Sequence, residues 1–279
     1  MNVRIIIDST ADLIPEIKNK LTVVPLTVHF GEEEYIDGVT ITHKEFYNKL
    51  VESDVLPSTS QATPAAFEKV FKEVKSAGES AVVITLSSKL SGTYQSAVIA
   101  AEEYENIYVV DSGSVTIGGG ILAELALKLA AEGLDAKSIA QQLEQEKKNI
   151  HIVAMVDTLE YLKRGGRVSK TVAFAGNLLN IKPVLSVVDG EIHMLGKARG
   201  SKQGNNLLAT EIEKAGGVDF SKPVLLGYTG LSDALLLKYI EDSKHLWEGG
   251  ADELRYAAIG SVIGTHAGPG AIAVAFFKN

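Results

Sequence analysis

Short apolar runs bounded by turn residues alternate along the chain with segments whose apolar positions recur at helical spacing. This alternation predicts an α/β fold, a parallel or mixed sheet flanked by helices. Strands are expected near 3–7 (VRIII), 23–28, 81–86 (AVVITL), 107–111 (IYVVD), 150–156, 183–188, 223–228 (PVLLGY), 254–259 and 271–277. Several helix starts carry their own marks. Thr42 with Glu45 makes a capping-box pattern before EFYNKLV, and Thr63 followed by Pro64 makes an N-cap and first-turn pair before AAFEKVFKEV. Gly133 closes a helix that begins near Gly120, and Asp135 can cap the next, SIAQQLEQEKKN. Asp189-Gly190 between apolar pairs predicts a hairpin.

No repeat, low-complexity tract or Pro- or Ser-rich linker divides the 279 residues, so the boundary has to come from length, at roughly 150 residues per domain. Two domains are expected: an N-terminal α/β domain over 1–150 with a mostly parallel sheet and flanking helices, and a smaller C-terminal α/β domain over 151–279. The boundary falls where QQLEQEKKN ends, with the Gly165-Gly166 turn as the alternative. A hydrophobic content of 46% is enough for a core in each. Lys plus Arg number 27 against 35 for Asp plus Glu, a net charge of −8, so no field draws the chain to nucleic acid or anionic lipid. Without cysteine there is no disulfide, thiolate nucleophile or Cys-ligated metal centre, which fits a reducing cytoplasm. The opening MNVRIIIDSTADL has too short an apolar stretch for a secretory signal and is expected to start the fold. Residues 257–277 contain no Lys, Arg, Asp or Glu and are long enough for a membrane span. Four glycines, Pro269 and His266 break that window, so no transmembrane segment is expected.

In open α/β sheets ligands sit beyond the carboxyl ends of strands, and polar clusters follow the apolar runs in this sequence. They are Asp8-Ser9-Thr10, Ser87-Ser88-Lys89-Leu90-Ser91-Gly92-Thr93, Asp111-Ser112-Gly113-Ser114 and Asp157-Thr158. Each reads as an N-cap of the next helix, as an anion site, or as both. Gly118-x-Gly120-x-x-Ala123 resembles a dinucleotide fingerprint, but no strand ending in an acid follows about twenty residues later, and Gly119 points to close helix packing. Walker A fails, because Lys197 is followed by Ala198. The six histidines show no metal-ligand spacing, so no metal is expected. Gly230-Leu231-Ser232-Asp233-Ala234 misses the nucleophile elbow at its last position and reads as a helix cap. His266 stands apart, within Gly264-Thr265-His266-Ala267-Gly268-Pro269-Gly270, where small residues allow close approach to the backbone; a tight structural turn is the alternative.

Thr59-Ser60-Gln61, Leu90-Ser91-Gly92-Thr93-Tyr94, the run from Asp157-Thr158 to Lys163-Arg164-Gly165-Gly166-Arg167, and GTHAGPGA occur in one order after Asp8-Ser9-Thr10. With these motifs the sequence resembles the DegV family, as a single unit over about 2–278. The resemblance implies two α/β domains and a buried long-chain fatty acid, such as palmitate or oleate, as ligand rather than cofactor. It also implies a non-catalytic carrier that presents the acid to a separate fatty acid kinase for acyl-phosphate formation and phospholipid synthesis. Carried over by motif, Thr59, Ser91 and His266 correspond to the carboxylate ligands, with Ser60, Gly92 and Thr265 beside them. Arg199, in Lys197-Ala198-Arg199-Gly200, resembles a family arginine near the pocket mouth, for partner or head-group contact; a surface salt bridge is the alternative. Arg164 and Arg167 read as turn residues whose guanidinium groups hold backbone carbonyls. Ala62, Thr63 and Ala267 depart from residues common in the family.

Hydroxyls and a neutral imidazole suit that task, because they orient a carboxylate without clamping both oxygens as a bidentate arginine would. One oxygen then stays free to attack a phosphoryl group. A different class remains open: Ser91 as nucleophile with His266 as base, an esterase or acyltransferase.

Overall fold

The computed structural model describes residues 2–168, 180–248, 250 and 254–279. The chain opens with β1 (Val3–Asp8), α1 (Pro15–Lys18), β2 (Thr22–Val24), β3 (Thr27–Phe30), β4 (Glu33–Ile36), α2 (His43–Glu52) and β5 (Ser58–Ser60). It continues through α3 (Pro64–Ser76), β6 (Ser80–Thr85), α4 (Thr93–Ala101), β7 (Ile107–Asp111), α5 (Ile117–Ala131), α6 (Ala136–Glu146), β8 (Ile150–Met155) and α7 (Glu160–Gly165). After β9 (Ile181–Val188), β10 (Glu191–Arg199) and α8 (Gly200–Lys214) come β11 (Leu225–Tyr228), α9 (Ala234–Asp242), β12 (Tyr256–Ala258), α10 (Ser261–Ala267) and β13 (Ile272–Phe277).

The α/β class follows from the alternation of apolar runs and helices. Strands β2-β1-β6-β7 form a parallel sheet, β10-β9-β8-β13-β11-β12 a mixed one, and β4-β3-β5 a small antiparallel one. Every residue of β6 is buried, as expected of a parallel strand covered on both faces. Phe46, Phe67 and Phe71 from α2 and α3 fill the core on one face of that sheet. On the other face lies α5, which also packs on β8, β11 and β13 of the mixed sheet. Leu208 and Ile212 from α8, with Leu236 and Tyr239 from α9, cover the far face of the mixed sheet.

Burial of its first half explains why the start of α5 is poorly marked in the sequence. Ten of its fifteen residues are buried, including every one from Ile117 to Ala123, so the first two turns carry no polar face, and the helix begins three residues before Gly120. Its glycines serve packing: a Cβ on Gly118 would overlap the Ser114 hydroxyl, and one on Gly120 the Asp12 carbonyl. The Thr42–Glu45 capping box, the Thr63 cap and the Asp135 cap all form. Asp189 and Gly190, at φ 49° and 81°, make the tight turn between β9 and β10.

Three expectations need correction. The strand expected at 23–28 is two strands in different sheets, because Pro25, which lacks an N–H, stands between them. The GTHAGPGA segment is not simply a turn: His266 lies in α10, which ends before Gly268 at φ 70°. The polar clusters after the strands mostly satisfy turns rather than cap helices; Asp8, for example, accepts from the Thr10 N–H and hydroxyl and from the Leu86 N–H. Among the described residues no helix is long and apolar enough to cross a membrane, and 257–277 folds into the end of β12, α10 and β13.

Candidate functional site

Beyond the carboxyl ends of β6 and β7, against one face of the mixed sheet, lies a cavity of about 380 Å³. That is within the usual range for a small-molecule site. Its wall follows strand period. Ile152, Ala154 and Val156, then Leu185 and Val187, then Ala271 and Ala273 line it at every second position, with Ser186 the one polar addition between Leu185 and Val187. Between them, Val153, Met155, Val184, Ile272 and Val274 turn to the opposite face and the core under α8 and α9. Leu26, Leu86, Ile259 and Val262 close the apolar wall.

The polar groups gather elsewhere on the lining. Thr59 is on β5, paired with Val28 of β3, and its Oγ1 lies 2.9 Å from His266 Nε2. Ser91 lines the same cavity, its hydroxyl 2.9 Å from Thr93 Oγ1 and accepting from the Thr93 N–H at 3.2 Å. The two segments touch through Gln61, whose amide donates to Ser96 Oγ at 3.0 Å while its oxygen rests where a Cβ on Gly92 would stand. A side chain at position 92 would displace the Gln61 amide from this seat.

Burial, reinforced by the positive charge of Arg167, lowers the His266 pKa to about 4, so the ring is neutral near pH 7. Its Nδ1 is buried without a hydrogen-bond partner among the described residues and lies against Gly165, where a Cβ would overlap it. Arg167 lines the cavity and donates to the carbonyls of Leu90, at 3.3 Å, and Gly165, at 2.5 Å. It thereby does what the turn reading of the KRGGR motif expects, while joining the Ser91 segment to the glycine beneath His266. Arg164 pairs with Glu160 at the surface.

Thr59, Ser60, Ser91, Gly92 and His266 therefore all line one cavity. Ser60 accompanies them with its hydroxyl 2.8 Å from His29 Nε2. Thr265 does not line it, since its hydroxyl donates to the Ser261 carbonyl one turn back in α10. Arg199 is exposed at the end of β10 and is likewise absent from the lining. Gln61, Arg167, Thr116, Ser186 and Thr229 line the cavity without having been singled out as ligands. Gln61 and Arg167 were visible as motif members, whereas Thr116 and Thr229 are isolated hydroxyls with no local pattern.

A family model described as an uncharacterised protein of the DegV family matches residues 2–279. The chain belongs to the DegV family. A DegV domain-containing protein of Caldanaerobacter subterraneus is 36% identical over 281 residues, covering 98% of each chain. Among solved DegV structures, one from Thermus thermophilus, described by its fatty acid binding, is 30% identical with a TM-score of 0.89, over 100% of both chains. DegV of Bacillus subtilis, described as a fatty acid binding protein, is 31% identical with a TM-score of 0.84, again over 100% of both.

Proposed function

We propose that this DegV chain binds one long-chain fatty acid, its tail in the cavity and its carboxylate at Thr59, Ser91 and His266, and presents it to a separate fatty acid kinase. The observation that carries the reading is the division of the lining: apolar strand residues form most of the wall, while Thr59, Ser91, Gln61, Arg167 and His266 sit on segments joined by the Thr59–His266 bond, the Gln61–Gly92 contact and the Arg167–Leu90 bond. The solved relatives described as fatty acid binders share the whole fold at close to one-third identity.

Burial of the tail supplies affinity: about 0.8 kcal/mol per methylene gives on the order of 11 kcal/mol for about fourteen, before the costs of association. The head-group residues then need only orient the carboxylate. Ser60, Gln61, Gly92 and Arg167 are exposed, so a carboxylate seated among them lies at the protein surface, within reach of a kinase's phosphoryl donor. Arg199 and Thr265, away from the lining, leave the carboxylate to the other residues.

The esterase alternative needs a base bonded to its nucleophile. His266 Nε2 is bonded to Thr59, and the Ser91 hydroxyl to Thr93. A histidine with a pKa of about 4 is also a weak base at neutral pH.

Native mass spectrometry of freshly purified protein, followed by denaturing extraction, tests the reading. One fatty acid per chain is expected, with reduced occupancy in Thr59→Ala/Ser91→Ala. An empty protein that also refuses added palmitate and oleate overturns it. Acyl phosphate formed on addition of a fatty acid kinase and ATP tests the presentation step.

A further inference from the structure

Asp12, only 2% exposed in the loop after β1, stands where three parts of the cavity wall meet. Its Oδ2 accepts the Thr116 hydroxyl at 2.6 Å, and its Oδ1 accepts the Gly260 N–H at 2.9 Å. Its own N–H bonds the Thr116 carbonyl at 3.4 Å, and its carbonyl fills the space above Gly120. Both partners belong to the wall. Thr116 lines the cavity directly; Gly260 joins Ile259, another lining residue, to α10, which contributes Val262, Ile263 and His266.

Two features show that this junction is held under constraint. Thr116 has φ 52° and ψ −129°, a region a β-branched residue occupies only when its surroundings fix it there. The seven-residue α10 is too short to be stable alone, so its contacts set its seat. Asp37 adds to that seat, bonding the N–H and hydroxyl of Ser261. Among the described residues, only Asp12 bridges the root of α10 to Thr116 by hydrogen bonds.

We propose that Asp12 is a positioning residue for the lipid site: by tying Thr116 on one wall to Gly260 at the root of α10, it sets where His266 meets the carboxylate. The proposal rests on the fatty-acid reading. His266 lies about 9 Å along the helix from Gly260 at 1.5 Å per residue. A tilt of about 10° at the root therefore carries the imidazole about 1.5 Å, more than a hydrogen bond tolerates.

A double-mutant cycle on palmitate affinity tests it. Asp12→Ala is expected to weaken binding about tenfold when His266 is present, equivalent to about 1.4 kcal/mol, and less than about twofold in a His266→Ala background. Asp12→Asn, whose amide can accept from Gly260 and donate to Thr116, is expected to restore wild-type affinity. Equal losses in both backgrounds overturn the proposal, because a merely structural role is indifferent to His266. Where Asp12→Ala does not fold, Thr116→Val carries the same cycle while leaving the Gly260 bond in place. If the wild type takes up no palmitate, the fatty-acid reading falls, and amide exchange still decides the positioning. The Gly264 and Gly268 N–H groups, bonded to Gly260 and Gly264, should exchange about tenfold faster in Asp12→Ala, and unchanged rates overturn the clamp.

Discussion

The wall and the head-group region of the cavity are built by different means. The wall comes from alternate residues of central strands, such as Ala154 and Ala273, whose intervening neighbours are locked into a second core. The head-group region comes from one edge strand, a turn and a helix end, held together by single contacts: Thr59 on His266, Gln61 on Gly92 and Arg167 on two carbonyls. A wall fixed by a sheet can hold a large apolar volume open without collapsing. A region assembled from separate segments can place several polar groups around one carboxylate, at the expense of depending on each contact.

Filling the wall should produce the largest effect. Ala273→Leu displaces about three to four methylenes of a bound tail, which at about 0.8 kcal/mol each predicts on the order of a 100-fold loss of palmitate affinity. Binding of a shorter fatty acid should change much less, and titration of a chain-length series checks this. Equal losses at every length would show that the tail does not occupy this wall.

Removing one head-group contact should cost less. His266→Ala is expected to weaken palmitate binding about tenfold, the scale of one hydrogen bond to a charged group. An anionic head raises the His266 pKa from about 4, so between the free and bound values binding takes up a proton. Affinity for a long-chain alkyl sulfonate, whose head stays anionic, should therefore rise as the pH falls from about 7 to about 5, and the rise should vanish in His266→Ala.

Stability should respond more modestly than binding. Burial outweighs the opposing effects of Lys18, Thr116 and Gly260 and, with Asp37, raises the Asp12 pKa to about 7. Between its ordinary value of 3.8 and about 7, the folded protein holds a proton that the unfolded chain has lost, so this group adds stability as the pH falls through that window. His266 acts oppositely, its stability contribution being lost as the pH falls from 6.5 towards 4. The two slopes overlap, so the difference between wild type and Asp12→Asn in urea melts across pH isolates Asp12. The smallest effect on the site belongs to Thr42→Ala, which removes the α2 capping box. It should cost about 1 kcal/mol in the same melts and leave palmitate affinity unchanged.

What could be read from the sequence divides along similar lines. Caps, the Asp189-Gly190 turn and most strands of the two larger sheets have local causes, and each appears in the structure. Thr59, Ser91 and His266 were reachable through family motifs, yet nothing local brings position 59 within a hydrogen bond of position 266. Polar short strands such as β5 carry little hydrophobic pattern; their pairing with β3 gives them their form. Asp12 lies in the opening MNVRIIIDSTADL, but its meaning depends on Thr116 and Gly260, 104 and 248 residues away.

The position of α5 also bears on how the chain acquires its shape. Much of the apolar surface of this helix is covered by strands that follow it, and β13, after every other element in order, lies between β8 and β11. A ribosome making this protein would expose α5 and two unfilled strand edges until Ile272–Phe277 emerged. Insertion of that strand closes both sheets' shared core at once, so folding should finish as one late cooperative event and partial chains should depend on chaperones.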